Sequence, residues 1–539
     1  MKRYIFLFPV LLSSVISIAQ TANDTINRMV LVESTYNPVI VGAVKHNFIP
    51  EEVKPAMSKE KVVYADENVD LTNFDREAQP AQAMEIAPEK GTSGYAHLGY
   101  GNYNNLNGLA AYKWQLNANN NLSFKAHADG WNGNLKLHDD TKWRSHLYDM
   151  GIDADYHTLL GNASLNIGGH GAYYNYNYLS NESTNIQKAN SLGAHASING
   201  VAKEYYYYRA NINYTRFDRS FYWGEEIPHS ENHIHGEVSL SKDLYKWGMA
   251  SVQLRSDVLT YQGLADYHNY FSLEITPQWE YQLGKFQFTS GFNMDILGGS
   301  NATHPIQLSP ECKISYIPEN RFTVHLTLDG GREMYSFDKL YERSPYWTST
   351  GQLRPSYTFL NANLEGGLRI FEGLHLHIGG GYKIISNALL ETVTDTLNVT
   401  YTGISNHNVK IATADAGISY NHRDFANLSV KGAYYHWMLQ GDQSLLARAP
   451  QFDINVDARI RIIPNLYAYT NLECMMFTDT EVMPRERAII EWGLGAHYTL
   501  NKRFTFFFDT HNLLNRRYSY YTGYPSQGFN VMAGAMFKF

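Results

Sequence analysis

Cysteine is almost absent: Cys312 and Cys474 are the two in 539 residues. A disulfide-built scaffold is therefore excluded. Both thiols fall in stretches that read as strands distant in chain order, where Cα atoms cannot approach to the roughly 5–6 Å that a bridge needs. Charged residues are sparse, 18% of the chain, and the formal net charge is −8. No basic stripe marks a nucleic-acid surface. Beyond the chain's leader-like start, long apolar runs are missing, and mean hydropathy is −0.38. A bundle of membrane-crossing helices, each needing about 20 apolar residues, is excluded with them.

What the chain has in quantity is aromatic: 41 Tyr, 25 Phe and 9 Trp. Strands reconcile that richness with a polar average, because their side chains alternate between faces and only every second one must be apolar. Tyrosine in particular suits the interface of a bilayer, where an amphipathic ring is at home.

Three regions follow from composition. Lys2 and Arg3 precede an apolar run from Tyr4 to Ile18, and Ser17-Ile18-Ala19 offers a small-residue cleavage site before Gln20, so residues 1–19 read as a secretory signal peptide. No cysteine stands there to carry a lipid anchor. Cleavage removes Lys2 and Arg3 and takes the net charge from −8 to −10. Residues 20–91 hold two short β-prone runs, Met29–Val32 and Val39–Val44, then a stretch rich in Glu, Lys, Ala and Pro from Pro50 to Lys90. That composition cannot bury enough apolar surface to fold alone. It reads as a short periplasmic or lumenal segment without a folded plug.

From residue 92 to 539 period-two alternation recurs about every twenty residues. Phe452, Ile454, Val456, Ala458, Ile460 and Ile462 oppose Asp453, Asn455, Asp457, Arg459 and Arg461. Leu122, Phe124, Ala126 and Ala128 oppose Ser123, Lys125, His127 and Asp129. Charges at every second site of an apolar strand require one face toward lipid and the other toward water. Connections alternate between short (117–122, 282–285, 318–321, 371–374, 464–466, 500–503) and long (132–146, 180–190, 219–232, 338–361, 392–407, 441–451, 478–487, 513–528). The predicted fold is all-β: a transmembrane, antiparallel, up-and-down barrel of about 22 strands. An even count leaves both termini on the periplasmic side.

The last strand carries a resemblance. Phe529, Val531, Ala533, Ala535, Phe537 and Phe539 share one face, and the closing Phe-Lys-Phe resembles the terminal signature of bacterial outer-membrane barrels, with Phe537 and Phe539 as the membrane-insertion signal. Asn512-Leu513-Leu514-Asn515-Arg516-Arg517-Tyr518, followed by Gly523-Tyr524-Pro525 and Gly528, resembles the end of a TonB-dependent receptor barrel. Ser344-Pro345-Tyr346, Leu353-Arg354-Pro355 and Asn363-Leu364-Glu365-Gly366-Gly367 resemble that family's mid-barrel motif in degenerate form. The style of the chain is similar to Bacteroidota barrels. The resemblance implies an outer-membrane location and a transport or channel role for an unknown solute. The missing plug is a departure from the family and favours the alternative, a structural or accessory subunit of an outer-membrane complex.

Candidate residues fall into two groups. Facing the lumen are Asp453, Asn455, Asp457, Arg459 and Arg461, with Lys125, His127 and Asp129, and with His233, His235 and Glu237 on a third strand. The first row is a selectivity ladder, a docking face for the N-terminal segment, or ordinary wetting of an inner wall. The His-His-Glu row reads first as polar wall and otherwise as a divalent-metal group completed from a neighbouring strand. Residues two apart on a strand put adjacent ligands about 7 Å apart, too far for all three to share one ion. The second group is aromatic: Tyr341, Tyr346 and Trp347 in one long connection, Tyr518 and Tyr521 in another. These suit recognition of a partner or solute on exposed loops, or the outer aromatic girdle and packing within the loops. No nucleophile motif appears, so no enzyme is expected, and no cofactor. Expected partners are outer-membrane lipid, the barrel-assembly machinery during insertion, and a periplasmic or surface protein.

Overall fold

The alternating segments form one hydrogen-bonded ladder that closes on itself. The computed structural model describes residues 93–539 apart from 138, 181–185, 204, 223–225, 265–266, 300–304, 319–320, 350, 397–398, 424 and 479–487. Residues 1–19, expected to be a signal peptide, and the 20–91 segment lie outside the described residues. Among the described residues there are 24 strands in a single sheet. Two of these, Leu179–Ser180 and Trp347–Thr348, are two-residue pieces, which leaves 22 wall strands. Each wall strand pairs antiparallel with its neighbours in sequence. The first, Gly94–Gly101, pairs with the last, Asn530–Lys538, from Tyr95 opposite Lys538 to Gly101 opposite Met532. Ser93 and Gly94 donate their N–H groups to the Phe539 carbonyl at 2.8 and 2.9 Å, which ties the chain's end to the first strand. The expected barrel, its strand number and its closure by the final strand are as the sequence indicated.

The outward face is apolar. Leu192, Leu308 and Ile378 are 63–65% exposed on it, an arrangement that water would penalise and lipid would not. Cys312 and Cys474 are both free, on strands well separated around the ring. Short turns join the strands at one end. Gly373 makes such a turn possible with φ of +89°, where a Cβ would stand 2.1 Å from the Asn421 carbonyl.

At the other end the strands run further than their hydrophobic pattern does. Val399–His422 has 24 residues and Leu374–Thr396 has 23, against the roughly 9–11 that cross a bilayer. Much of the expected long connections at 132–146, 219–232 and 392–407 is therefore strand: Asn120–Lys136 with Lys142–Leu160, Tyr206–Tyr222 with Glu226–Asp243, and Leu374–Thr396 with Val399–His422. Backbone pairing continues past the lipid, whereas apolar alternation ends with it. At this level the outward face is polar, with Arg216 paired to Asp218 at 3.0 Å and Ser230 bonded to the same carboxylate at 2.5 Å.

Candidate functional site

The inward faces of the wall surround a cavity of about 4510 Å³. Asp453, Asn455 and Asp457 line it, and the Asn455 amide donates to Asp453 at 3.0 Å. Arg459, on the same face, lays its guanidinium over the Tyr467 ring at 4.1 Å, and Arg461 stands two residues nearer the short turns. Lys125, His127 and Asp129 occupy one face of their strand as the alternation implies. Their contacts are lateral: Asn107 donates to Asp129 at 2.5 Å, and His127 approaches Asp149 at 3.3 Å.

His233, His235 and Glu237 line the cavity together, but they do not form a trio. Glu237 accepts from Gln253 at 2.6 Å and from Asn211 at 3.4 Å. The carboxylate between the imidazoles is Asp257, on the next strand. Its Oδ1 lies 2.8 Å from His233 Nε2 and 2.8 Å from His235 Nδ1. Asp257 was legible in the sequence only through hairpin register. The turn pairs Asp243 with Met249, and counting back along both strands brings His235 opposite Asp257. The same pairing of imidazole with carboxylate recurs at His195 with Asp155, 2.7 Å apart, and at His377 with Asp415.

The long-connection end of the cavity is closed by two segments whose described residues, 334–349 with 351–355 and 512–529, fold inward. In the first, Ser336 caps a short helix, Phe337–Arg343, by accepting from the Lys339 N–H at 3.3 Å. Phe337, Leu340 and Tyr341, spaced i, i+3, i+4, share one face and are buried. Glu231 on the wall accepts from the Phe337 N–H at 2.8 Å. Burial, with Asp338 adding repulsion, pushes the Glu231 carboxyl up to about 8. Beyond the helix, Arg219 donates to the Trp347 carbonyl at 2.9 Å and to the Tyr178 hydroxyl at 3.0 Å, and its guanidinium lies 4.6 Å from the Trp347 ring centre. Trp347 and Thr348 pair in parallel with Thr402 and Gly403.

The second segment is shaped by two asparagines in the left-handed region, Asn512 at φ 46° and Asn515 at φ 48°. The Asn512 side chain spans the segment, donating to the carbonyls of Arg516 and Gln527 and accepting from the Arg516 N–H, all at 2.8 Å. The motif noted in the sequence is thus a loop staple. Both segments meet at one wall carboxylate: Glu391 accepts from Arg343 at 2.5 Å and from Thr522 at 2.7 Å.

The chain also bridges the mouth with its backbone. Leu179 and Ser180 pair with Thr400 and Val399. They follow the fifth wall strand and meet the sixteenth, on the opposite side of the ring. The aromatic candidates are accordingly not an exposed recognition surface. Tyr341, Tyr346 and Trp347 are buried in one cluster, Tyr521 packs against it, and burial raises the Tyr521 phenol to about 12; Tyr518 is buried in a second cluster with Met475, Phe477 and Ile489. The reason is energetic. Each large side chain removed from water contributes about 1.5–3 kcal/mol, and an apolar interior was at hand across the mouth.

No protein-family model matches the chain, and neither does any curated protein. Solved structures do. The copper transporter OprC superposes with a TM-score of 0.63 at 11% identity, over 84% of this chain and 81% of that one. The FrpB iron transporter from Neisseria meningitidis (F5-1 variant) gives 0.65 at 11% identity, over 84% and 83%. A mutant of the ferric enterobactin receptor PfeA from Pseudomonas aeruginosa gives 0.61 at 12%, over 83% and 81%. At such identities the likeness is one of fold alone, and the fold shared is a large closed antiparallel β-barrel.

Proposed function

We propose that the chain is a transport-related outer-membrane barrel whose outer mouth is held shut by its own loops. In this reading the long-connection end faces the exterior, both termini lie in the periplasm, and the polar lumen is the path of a solute still to be identified. The observation that carries it is the pairing of Leu179–Ser180 with Val399–Thr400 across the mouth, above a polar-lined cavity. A channel so closed needs a trigger. The aromatic cluster alone holds Tyr176, Tyr346, Trp347 and Tyr524 away from water. Exposing four such side chains costs on the order of 6–12 kcal/mol, which a ligand or partner must supply by binding the open form better.

Single-channel conductance in a planar bilayer tests this. The full-length barrel should be nearly silent, and a variant with residues 338–352 replaced by a short Gly-Ser linker should pass a steady current. A large steady current from the intact chain would end the reading of a shut mouth.

The size of that opening cost favours a second reading, in which the mouth never opens and the barrel is a structural or accessory subunit, with residues 20–91 as its periplasmic contact. Stoichiometric co-purification of a partner in mild detergent, together with silence of the linker variant, would select it.

A further inference from the structure

We propose that His233, His235 and Asp257 form a divalent transition-metal site on the lumen wall. Among the described residues this is the one group of three such side chains whose ligand atoms all lie within 4.8 Å of one another. All three line the cavity, so an ion has an approach from solvent. The two imidazoles leave the same face of one strand, and the carboxylate comes from the neighbouring strand at the position opposite His235. Both distances to Asp257 Oδ1 are 2.8 Å, those of two hydrogen bonds.

Replacing those two shared protons by one ion asks for little movement. With metal–ligand bonds of about 2.0–2.1 Å, a tetrahedral centre sets its ligand atoms about 3.3 Å apart, so each imidazole shifts by roughly half an ångström. The donor set decides the class of ion. Two imidazoles and one carboxylate suit zinc, copper or nickel, whereas calcium and magnesium seek more oxygen ligands than this wall presents. Three protein ligands leave the fourth position toward the lumen, for water or an incoming ligand. Glu237, two residues along on the same face, is already engaged by Gln253 and Asn211 and takes no part.

Equilibrium dialysis of chelator-stripped, full-length protein in detergent against Zn²⁺, with the metal counted by mass spectrometry, tests the site. One ion per chain is expected. His235→Ala and Asp257→Asn should each weaken binding by at least about tenfold, the loss seen when even supporting residues of metal sites are removed. Glu237→Gln should leave it unchanged. Co²⁺ in place of Zn²⁺ should give the visible absorption of a four-coordinate ion, lost in the Asp257→Asn variant. Heat-modifiable migration on gels checks that each barrel is folded, and His235→Gln serves if the alanine variant is not. No stoichiometric ion, or an ion retained by the His235 and Asp257 variants, overturns the assignment. The assay reads binding alone, so its failure and the failure of the conductance reading are separate results.

Discussion

Tyr346 and Tyr524 stack face to face with ring centroids 3.5 Å apart and planes 7° apart, joining the two inward segments. Tyr524 is tied to both sides of the bridged mouth. Its hydroxyl donates to the Thr400 carbonyl and accepts from the Leu179 N–H at 3.3 Å. Truncating it should therefore loosen the whole seal. Tyr524→Ala should destabilise the closed mouth by about 3–5 kcal/mol, raising the open fraction by about a hundredfold or more. Hydrogen exchange at the Tyr346–Thr348 amides measures this directly. Tyr524→Phe keeps the stack and loses the hydroxyl bonds, so its effect should be nearer 1 kcal/mol.

Glu391 is the second point of convergence, because Arg343 from one segment and Thr522 from the other bond to the same carboxylate. The Arg343 side chain is 37% exposed, so solvent screens the ion pair, and its removal is costed as hydrogen bonds rather than as a buried charge. Glu391→Ala should weaken the seal by about 1–3 kcal/mol, and Glu391→Gln by less, since the amide oxygen still accepts from Thr522. Combined with Thr522→Ala, the loss should fall short of the sum, with a coupling of about 0.5–3 kcal/mol. Limited proteolysis of the 334–355 segment reads all four members of the cycle.

These two contacts mark where the sequence ceased to inform. The row from Phe452 to Ile462 named its lipid face and its water face without help, because period two is a local property of one strand. The strand count followed from the same property repeated. Phe337, Leu340 and Tyr341 carry helical spacing that can be recognised once it is sought. That the helix turns into the barrel is set by partners far away in the chain, Glu231 at its start and Glu391 at its end. Asp257 lay between these extremes. It was hidden from a reading of single strands and accessible to one that counted register across a tight hairpin. Strand length above the bilayer was hidden altogether, since polar outward faces such as Arg216, Asp218 and Ser230 look the same in a strand as in a loop.

Adjacent residues on one wall strand should respond oppositely to the same change. Ile454 stands on the outward face, and Asn455, beside it in sequence, lines the cavity next to Asp453 and Asp457. Ile454→Arg places a guanidinium in lipid, at a cost of about 2–4 kcal/mol near the membrane midplane. Asn455→Arg places it in water between two carboxylates and should leave stability within about 0.5 kcal/mol. Urea-dependent folding into lipid vesicles distinguishes them. Equal losses for the two variants would mean the faces are misassigned.

The seal should loosen in alkali, and Glu231 gives the sign. The group stands above the apolar band, where the outward neighbours Ser230 and Asn232 are polar, and it faces the Phe337 N–H, Asp338 and Tyr261. Its carboxyl titrates about 8 when the helix is docked, against an ordinary 4.5 when it is released to water. A raised carboxyl pKa means that the docked form holds a proton the released form has lost. Docking is therefore favoured fully below pH 4.5, and that contribution is lost as pH rises toward 8. Within this window each pH unit should shift the docking equilibrium by up to about tenfold toward release. Glu231→Gln cannot ionise, keeps an acceptor for the Phe337 N–H, and should flatten the dependence while leaving the low-pH seal intact. Proteolysis of the 334–355 segment across pH 5–9, in the parent and in Glu231→Gln, provides the comparison. A parent that grows more resistant toward pH 9 would reverse the sign and remove Glu231 as its cause.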